Sequence, residues 1–541
     1  WVEGPVSQVA ALSMTVMQTV DLNATLVGTG CLGSAVSTPR PALAHPRSIA
    51  ITNDGDADDD DETVVVTEFF GQRTAPEASP DAANADLNWV GLVYKFELGQ
   101  TTAQAIELPS IDTGFTNALG ATGCFANQLQ SVTVKGGQAF VTSICASPRG
   151  PLSVEPMTHP VVHVVDLAGN TATGHNLNAA LRDLYVANAF ADDASRRYPL
   201  VANDLAFDPA TGAALITANG ADAAFRAVFA ANGALTEIGA GASAPFLDLA
   251  NPALTEAQRG RAPLGLAMAH QHAFAFVASD VSRNVTAVDL SAAAPAIAGL
   301  ATNDPSVLAS AALPADAAGQ AYLRGKYAFG TGLDRWSKLG QGWGACQSCH
   351  FEGLSDNITW YFGRGPRQST SLDGSFASAD PTDQRIFNWT GVFDEIADFE
   401  NVARGLDGAV GALVHTISAP PVNTDRIDLA AAGAGGLNGS ATNVSKNVSL
   451  LDTWSDVELF VQKVRSPKAP RGLVMADVIA GKALFEGAGA GNCQGCHGGA
   501  KWTISTRFNT PSTTTNEALK TMACDGPTIV AAGFPAALLP A

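Results

Sequence analysis

Basic residues are scarce in this chain. Lys and Arg number 31 against 51 Asp and Glu, a formal charge of -20 over 541 residues, which opposes binding to a phosphate backbone or an anionic membrane surface. Nucleic acid is therefore excluded as an expected ligand, and the charge favours a basic partner or a salty medium. No stretch approaches the ~20 apolar residues that span a bilayer, so no transmembrane segment is read. Trp1 is followed by neither a charged n-region nor an apolar core, so any secretion signal is expected to have been removed or left out. The Walker loop, the G-x-S-x-G elbow and the dinucleotide fingerprint in a strand-to-helix setting are all missing, which sets those enzyme classes aside. With nine histidines and six methionines, the list of soft or imidazole metal ligands is short.

What is present begins with apolar bulk. At 46% hydrophobic residues the chain can bury large cores and is expected to form two or more domains. From the N-terminus to about Thr302 it is Ala/Gly/Val-rich and repeats a short apolar strand, a turn and a second strand. Landmark units begin at Ser48, Gln130, Asn203 and Gly265, spaced more widely than the ~40 to 50 residues of a compact propeller blade. Closures such as VVDLAG and AVDLSA resemble those of YVTN or WD-type β-propellers, so the fold expected for residues 1–305 is an all-β propeller with the number of blades left open. Closing the strands into a ring removes exposed edges; a pair of β-sandwiches is the alternative. Near Asp304 the texture turns to helical spacing with long loops, and residues 306–541 are expected to form a mainly α domain, in two subdomains at about 315–450 and 451–541, which the pentads below make a di-haem cytochrome c domain.

The haem expectation rests on two copies of one pentad, Cys346-Gln-Ser-Cys349-His350 and Cys493-Gln-Gly-Cys496-His497. Two thiols three positions apart on a helical turn match the porphyrin vinyl groups, and the next residue offers its imidazole to the iron. Neither pentad has the second cysteine pair of a zinc site. Two covalently attached haem c groups are therefore expected, with His350 and His497 as proximal iron ligands.

The paired pentads, Phe362-Gly363-Arg364-Gly365-Pro366-Arg367 after the first, and Ala480-Gly481-Lys482-Ala483-Leu484-Phe485 before the second resemble the bacterial di-haem cytochrome c peroxidase and MauG superfamily over about residues 315–541. That resemblance implies a peroxide-facing first haem and an electron-relay second haem with a His/Met iron. Arg364 and Arg367 are candidates for pairing with haem propionates. His415, on the apolar segment GAVGALVHTI, is the candidate sixth ligand of the first haem, with a core histidine as the alternative. Met475 and Met522 compete for the second haem, with gap-filling core methionine as the alternative. Glu395 and Glu400 are the nearest carboxylates for the proton shuttling of a peroxidase, against the plainer reading of an acidic helix face. Only 44 residues follow His497, since 541 minus 497 is 44, which is short for a second haem domain of that family.

Other features stand apart from the haems. Four cysteines remain, and export favours disulfides, with Cys124 and Cys145 expected to pair across a hairpin and Cys31 with Cys524 as a second pair. The acidic run including Asp54, Asp56, Asp58 and Asp60 offers oxygen ligands on alternate residues, as Ca²⁺ requires, or is a solvated loop. His270 and His272, two apart on a strand, would share a face. Three functional classes follow: a periplasmic or extracellular electron-transfer cytochrome whose propeller docks a redox partner, a peroxidase-like oxidoreductase acting at the first haem, and a component that self-associates or joins a larger redox assembly.

Overall fold

The computed structural model describes residues 6–10, 15–31, 43–53, 55, 61–78, 83–270, 273–362, 365–377, 380–384, 396–409, 448–466, 473–487, 489 and 491–495. The chain is mostly β. Four antiparallel sheets of five strands follow one another in chain order. The first contains Pro46–Ile51, Thr63–Glu68 and Trp89–Glu97, and the second is a meander from Ile111–Asn117 through Thr171–Asn176. The third is built on Ala202–Phe207, Ala214–Ala218 and Ala223–Phe229, the fourth on Pro263–Met268, Phe274–Ser279 and Asn284–Asp289. The four sequence landmarks, Ser48, Gln130, Asn203 and Gly265, each fall in a strand of a different sheet.

The sheets stack face to face, as propeller blades do. Val65, Val93 and Ile106 of the first meet Leu129, Val141 and Val165 of the second. Phe140, Val162 and Val164 of the second meet Leu205, Ile216 and Phe225 of the third, and Leu215 and Ala224 of the third meet Ala275, Val277 and Val288 of the fourth. A strand covered on both faces reads as a continuous apolar run, which is why Thr63–Glu68 shows little alternation. Phe274–Ser279 does alternate, with Phe274 and Phe276 on an exposed face. No apolar cluster among the described residues joins the fourth sheet to the first.

Cys124 and Cys145 form a disulfide, with both residues fully buried. The sequence expectation holds because the two lie on paired strands, Gly120–Lys135 and Gln138–Ala146. Cys31 is buried beside Val20 and Leu26 against the first sheet, and Cys524 lies outside the described residues.

The C-terminal part differs from expectation. Its last sheet strand, Val307–Ala309, pairs with Asn284–Asp289, a few residues past 305. Beyond it the described helices longer than two turns are Ala317–Gly330, Val448–Val461 and Met475–Phe485, interspersed with 3-10 turns and two-stranded hairpins. The expected mainly α domain is thus not what the described residues form. Much of this segment lies on the sheets. Tyr327 Oη donates to Asp222 Oδ2 at 2.7 Å, Gly332 N–H to the Gly220 carbonyl at 2.9 Å, and Tyr198 N–H to the Gln341 carbonyl at 2.8 Å. The Tyr198 and Trp343 rings lie 3.7 Å apart.

The sheets have two measurable consequences. Replacing both Cys124 and Cys145 with serine should lower stability by about 3 kcal/mol, the amount expected for a loop of this length, measured as a shift in denaturant midpoint. His163 is fully buried, its Nε2 3.2 Å from the Pro109 carbonyl, and burial lowers it from an ordinary 6.5 to about 4. Between those values the unfolded chain binds the proton and the folded chain does not, so this histidine costs stability as pH falls from 6.5 to 4 and nothing more below that. The His163→Gln variant should therefore gain relative to the parent over that window, by about 3 kcal/mol, with no relative change above pH 6.5 in parallel denaturation curves.

Candidate functional site

Cys346 and Cys349 open and close a single helical turn, and His350 caps it with φ -120° and ψ 58°. One turn cannot bond its own end groups. Ala345 N–H donates to Ser348 Oγ at 3.2 Å, His350 N–H to the Cys346 carbonyl at 2.8 Å, and Asp356 N–H to the Cys349 carbonyl at 3.1 Å. The Ser348 carbonyl accepts from Gln128 Nε2 at 2.7 Å, and the Asp356 carbonyl from Asn127 Nδ2 at 3.0 Å. Both donors belong to the second sheet, beside a slip in the pairing of Gly120–Lys135 with Gln138–Ala146, and Gln128 stands at φ 48°. Bulges of this kind re-aim side chains.

Cys346 lies against the apolar cluster of Phe329, Leu354, Trp454 and Phe460, and Cys349 against that of Phe125, Ile358 and Trp360. Burial pushes the Cys346 thiol up to about 12, with the Asp407 carboxylate adding to it. Burial likewise raises Cys349 well above the ordinary thiol value, with Asp356 and Asp407 adding. Both are protonated at neutral pH, the opposite of what a dithiol redox centre or a cysteine nucleophile needs. Asp356 is fully buried, accepts from Ile358 N–H and Trp360 Nε1 at 2.9 Å each, and is pushed up to about 7 by that burial. Asp407 is pushed up to about 8 for the same reason.

Burial also lowers the His350 imidazole, against the pull of the Leu354 and Thr370 backbone. Its Nδ1 is buried with no hydrogen-bond partner. A neutral imidazole with an unpartnered, dry nitrogen is suited to ligating a metal. Among the described residues no group of three or more His, Cys, Asp and Glu is arranged to hold a metal ion by itself, so a closed structural zinc site is not formed there. Two thiols on one turn, an adjacent neutral imidazole and apolar surroundings fit a covalently held haem.

The pocket around Cys346 depends on a close helix crossing. Ala317–Gly330, capped by Asp316 Oδ1 accepting from Gly319 N–H at 2.7 Å, crosses Val448–Val461 at Gly325. A Cβ on Gly325 would run into the Asp456 carbonyl oxygen, so glycine alone permits the approach. The Phe329 and Phe460 rings then meet at 4.9 Å, and Arg324 Nε reaches Asp456 Oδ2 at 2.7 Å. Gly325-Lys326-Tyr327-Ala328-Phe329 recurs as Gly481-Lys482-Ala483-Leu484-Phe485 ahead of the second pentad. This repeat was a legible signal for the helix crossing, and the sequence expectations did not use it.

The other sequence candidates are not gathered around the first pentad. Cys493 is exposed at the start of a 3-10 turn, and Met475 is 64% exposed at the start of Met475–Phe485. Arg367 sits on the hairpin Thr359–Phe362 with Gly365–Gln368, its guanidinium 5.7 Å from the Phe362 ring. Glu400 begins the helix Glu400–Gly405. His270 lies exposed in the turn after Pro263–Met268; the expectation of a strand position is corrected, because the strand ends at Met268. Cys496, His497, His415, Met522, Arg364, Glu395, His272, Asp54, Asp56, Asp58 and Asp60 lie outside the described residues.

No family model matches the chain, and no curated protein matches it. Among solved structures it is similar to Kuenenia stuttgartiensis hydrazine synthase, at 11% identity and a TM-score of 0.31 over 53% of this chain and 65% of that one. It is also similar to the periplasmic gluconolactonase of Pseudomonas aeruginosa, at 16% identity and a TM-score of 0.28 over 54% and 64%. A putative 6-phosphogluconolactonase from Bacteroides fragilis gives 10% identity and 0.28 over 51% and 62%. The chain thus spans less than two thirds of each of these three, and likenesses this slight leave the function to the residues themselves.

The helix crossing gives a test. Gly325→Ala should destabilise the protein by about 1 to 3 kcal/mol through overpacking, seen as a lower thermal midpoint.

Proposed function

We propose that this chain is a di-haem c-type cytochrome of an oxidising compartment that accepts and passes single electrons. One observation carries the reading: His350 presents a buried, unpartnered ring nitrogen directly after two half-buried thiols that one helical turn sets against apolar clusters. When bound, haem supplies an iron centre that changes charge by one electron. Cys346 and Cys349 tether it, and His350 gives the iron its proximal nitrogen. Phe329, Leu354, Trp360 and Phe460 keep water from that side. Arg367 is the described residue suited to a propionate. Cys493, Cys496 and His497 do the corresponding work at the second pentad.

The buried Cys124–Cys145 disulfide supports an exported location, where such bonds persist. The acidic surplus supports a basic redox partner. No described helix is long and apolar enough to cross a membrane. Electron transfer is preferred over peroxidase chemistry because Asp356, a buried carboxylate beside the pentad, is committed to Trp360 and the Ile358 backbone.

Mass spectrometry decides the first step. The exported protein should carry two haem masses beyond its polypeptide, and a C346S/C349S variant one. Reductive titration should take up one electron per haem, and added peroxide should leave the spectrum unchanged. A parent chain without covalent haem ends the proposal, and a spectrum altered by peroxide with turnover of a reducing substrate transfers the chain to the peroxidase class.

A further inference from the structure

Gln128 is an odd residue for its place. It is 1% exposed, yet it stands at φ 48°, a backbone region that glycine and asparagine enter far more readily. Strain of that kind persists where the surroundings fix it, and it concentrates at working parts of a fold. What glutamine offers there is reach. Its Nε2 bonds the Ser348 carbonyl, 220 residues on in the chain, and the side chain left by a Gln128→Asn substitution would be one methylene too short. The neighbouring Asn127, also 1% exposed, accepts from Gly71 N–H at 2.8 Å through Oδ1 and donates to the Asp356 carbonyl through Nδ2. The two side chains therefore grip the backbone on either side of His350, at Ser348 before it and at Asp356 after it. Gln128 Oε1 is buried without a partner, so this wall of the site still holds an acceptor.

We infer that Asn127 and Gln128 are positioning residues for the iron ligand: the bulge of the second sheet sets the height and orientation of His350, and the β part of the chain is one wall of the first haem site. The inference rests on the haem reading above. Neither residue touches the iron; they act through the backbone that carries the imidazole, the kind of outer support that tunes a metal centre.

The test uses Q128N and Q128G in the full-length chain, two substitutions that suit φ 48° and cannot reach Ser348. Both are also made in a C493S/C496S background, so that the remaining haem signal belongs to the first pentad. Water entering the vacated space favours the more charged oxidised iron. The reduction equilibrium of that haem should therefore shift about tenfold toward the oxidised form, a fall of about 59 mV for one electron, and its ferric electron paramagnetic resonance signal should move. The second haem should keep its potential. A Val277→Ala variant, which opens the core beneath the fourth sheet away from the clamp, should lower the thermal midpoint and leave both potentials alone. Variants that fold and load haem with the parent's potential and resonance signal overturn the inference while leaving the haem reading intact, whereas a parent chain without haem at Cys346 and Cys349 overturns both.

Discussion

A one-turn helix packed against a sheet has to find its hydrogen bonds elsewhere, and the rest of this structure depends on how that need is met. Cys346–Cys349 has too few residues to close its own ladder, and unpaired buried carbonyls cost about 1 to 3 kcal/mol each. The Asn127 and Gln128 amides meet part of the demand from one side and the loop to Asp356 meets part from the other. The thiols and the imidazole are thereby held in a dry, apolar setting that keeps the thiols protonated and the imidazole neutral. The β part of the chain is thus more than an appended module, because without it the Cys346–Cys349 turn loses donors that its own segment does not supply.

Legibility in the sequence followed contiguity. The pentads could be read because thiols, spacing and imidazole lie within five residues, and Cys124 with Cys145 because the strands between them pair locally. The four sheet landmarks emerged for the same reason, since each strand–turn–strand unit is written in consecutive residues. Gln128 could not be connected to Ser348, because nothing local marks a contact across 220 residues. Gly325 looked like an ordinary helical glycine until the Asp456 backbone was seen beside it. Asp356 gave no sign that it would be buried under Trp360, since a single carboxylate carries no pattern. The expectation of a mainly α C-terminal part gave too much weight to helical spacing and too little to the turns and hairpins between.

The repeated Gly-Lys-x-x-Phe segment links the two pentads more firmly than the pentads alone do. In the first copy the glycine admits a crossing helix and the phenylalanine packs against it at Phe460, which shapes the pocket around Cys346. The second copy repeats the same glycine, lysine and aromatic spacing ahead of Cys493. A chain that needed only a thiol pair would have no reason to repeat the helix geometry before it. Among the described residues the second copy stands without the packing of the first, since Met475–Phe485 buries no residue and Gly481 has nothing beside it.

The scarcity of basic residues takes on meaning from where some of them stand. Lys326 pairs with Asp280, Lys338 with Glu155 and Arg47 with Glu352, and Arg261 donates to the Tyr327 hydroxyl, each across the seam between the sheets and the segment bearing the first pentad. Exposed ion pairs of this kind add little energy, about 0 to 1 kcal/mol each, so the seam is held chiefly by buried hydrogen bonds such as Tyr327 to Asp222 and by ring packing such as Tyr198 on Trp343. What the pairs do is occupy positive charge. With part of a small basic complement engaged inside the molecule, the surplus of carboxylates is left to set the outer field, and an outer field of one sign steers a partner of the other sign. Because mobile ions screen that field beyond about 10 Å at 0.1 M salt, it acts on encounters at the surface and leaves the side chains packed around Cys346 and Cys349 unaffected.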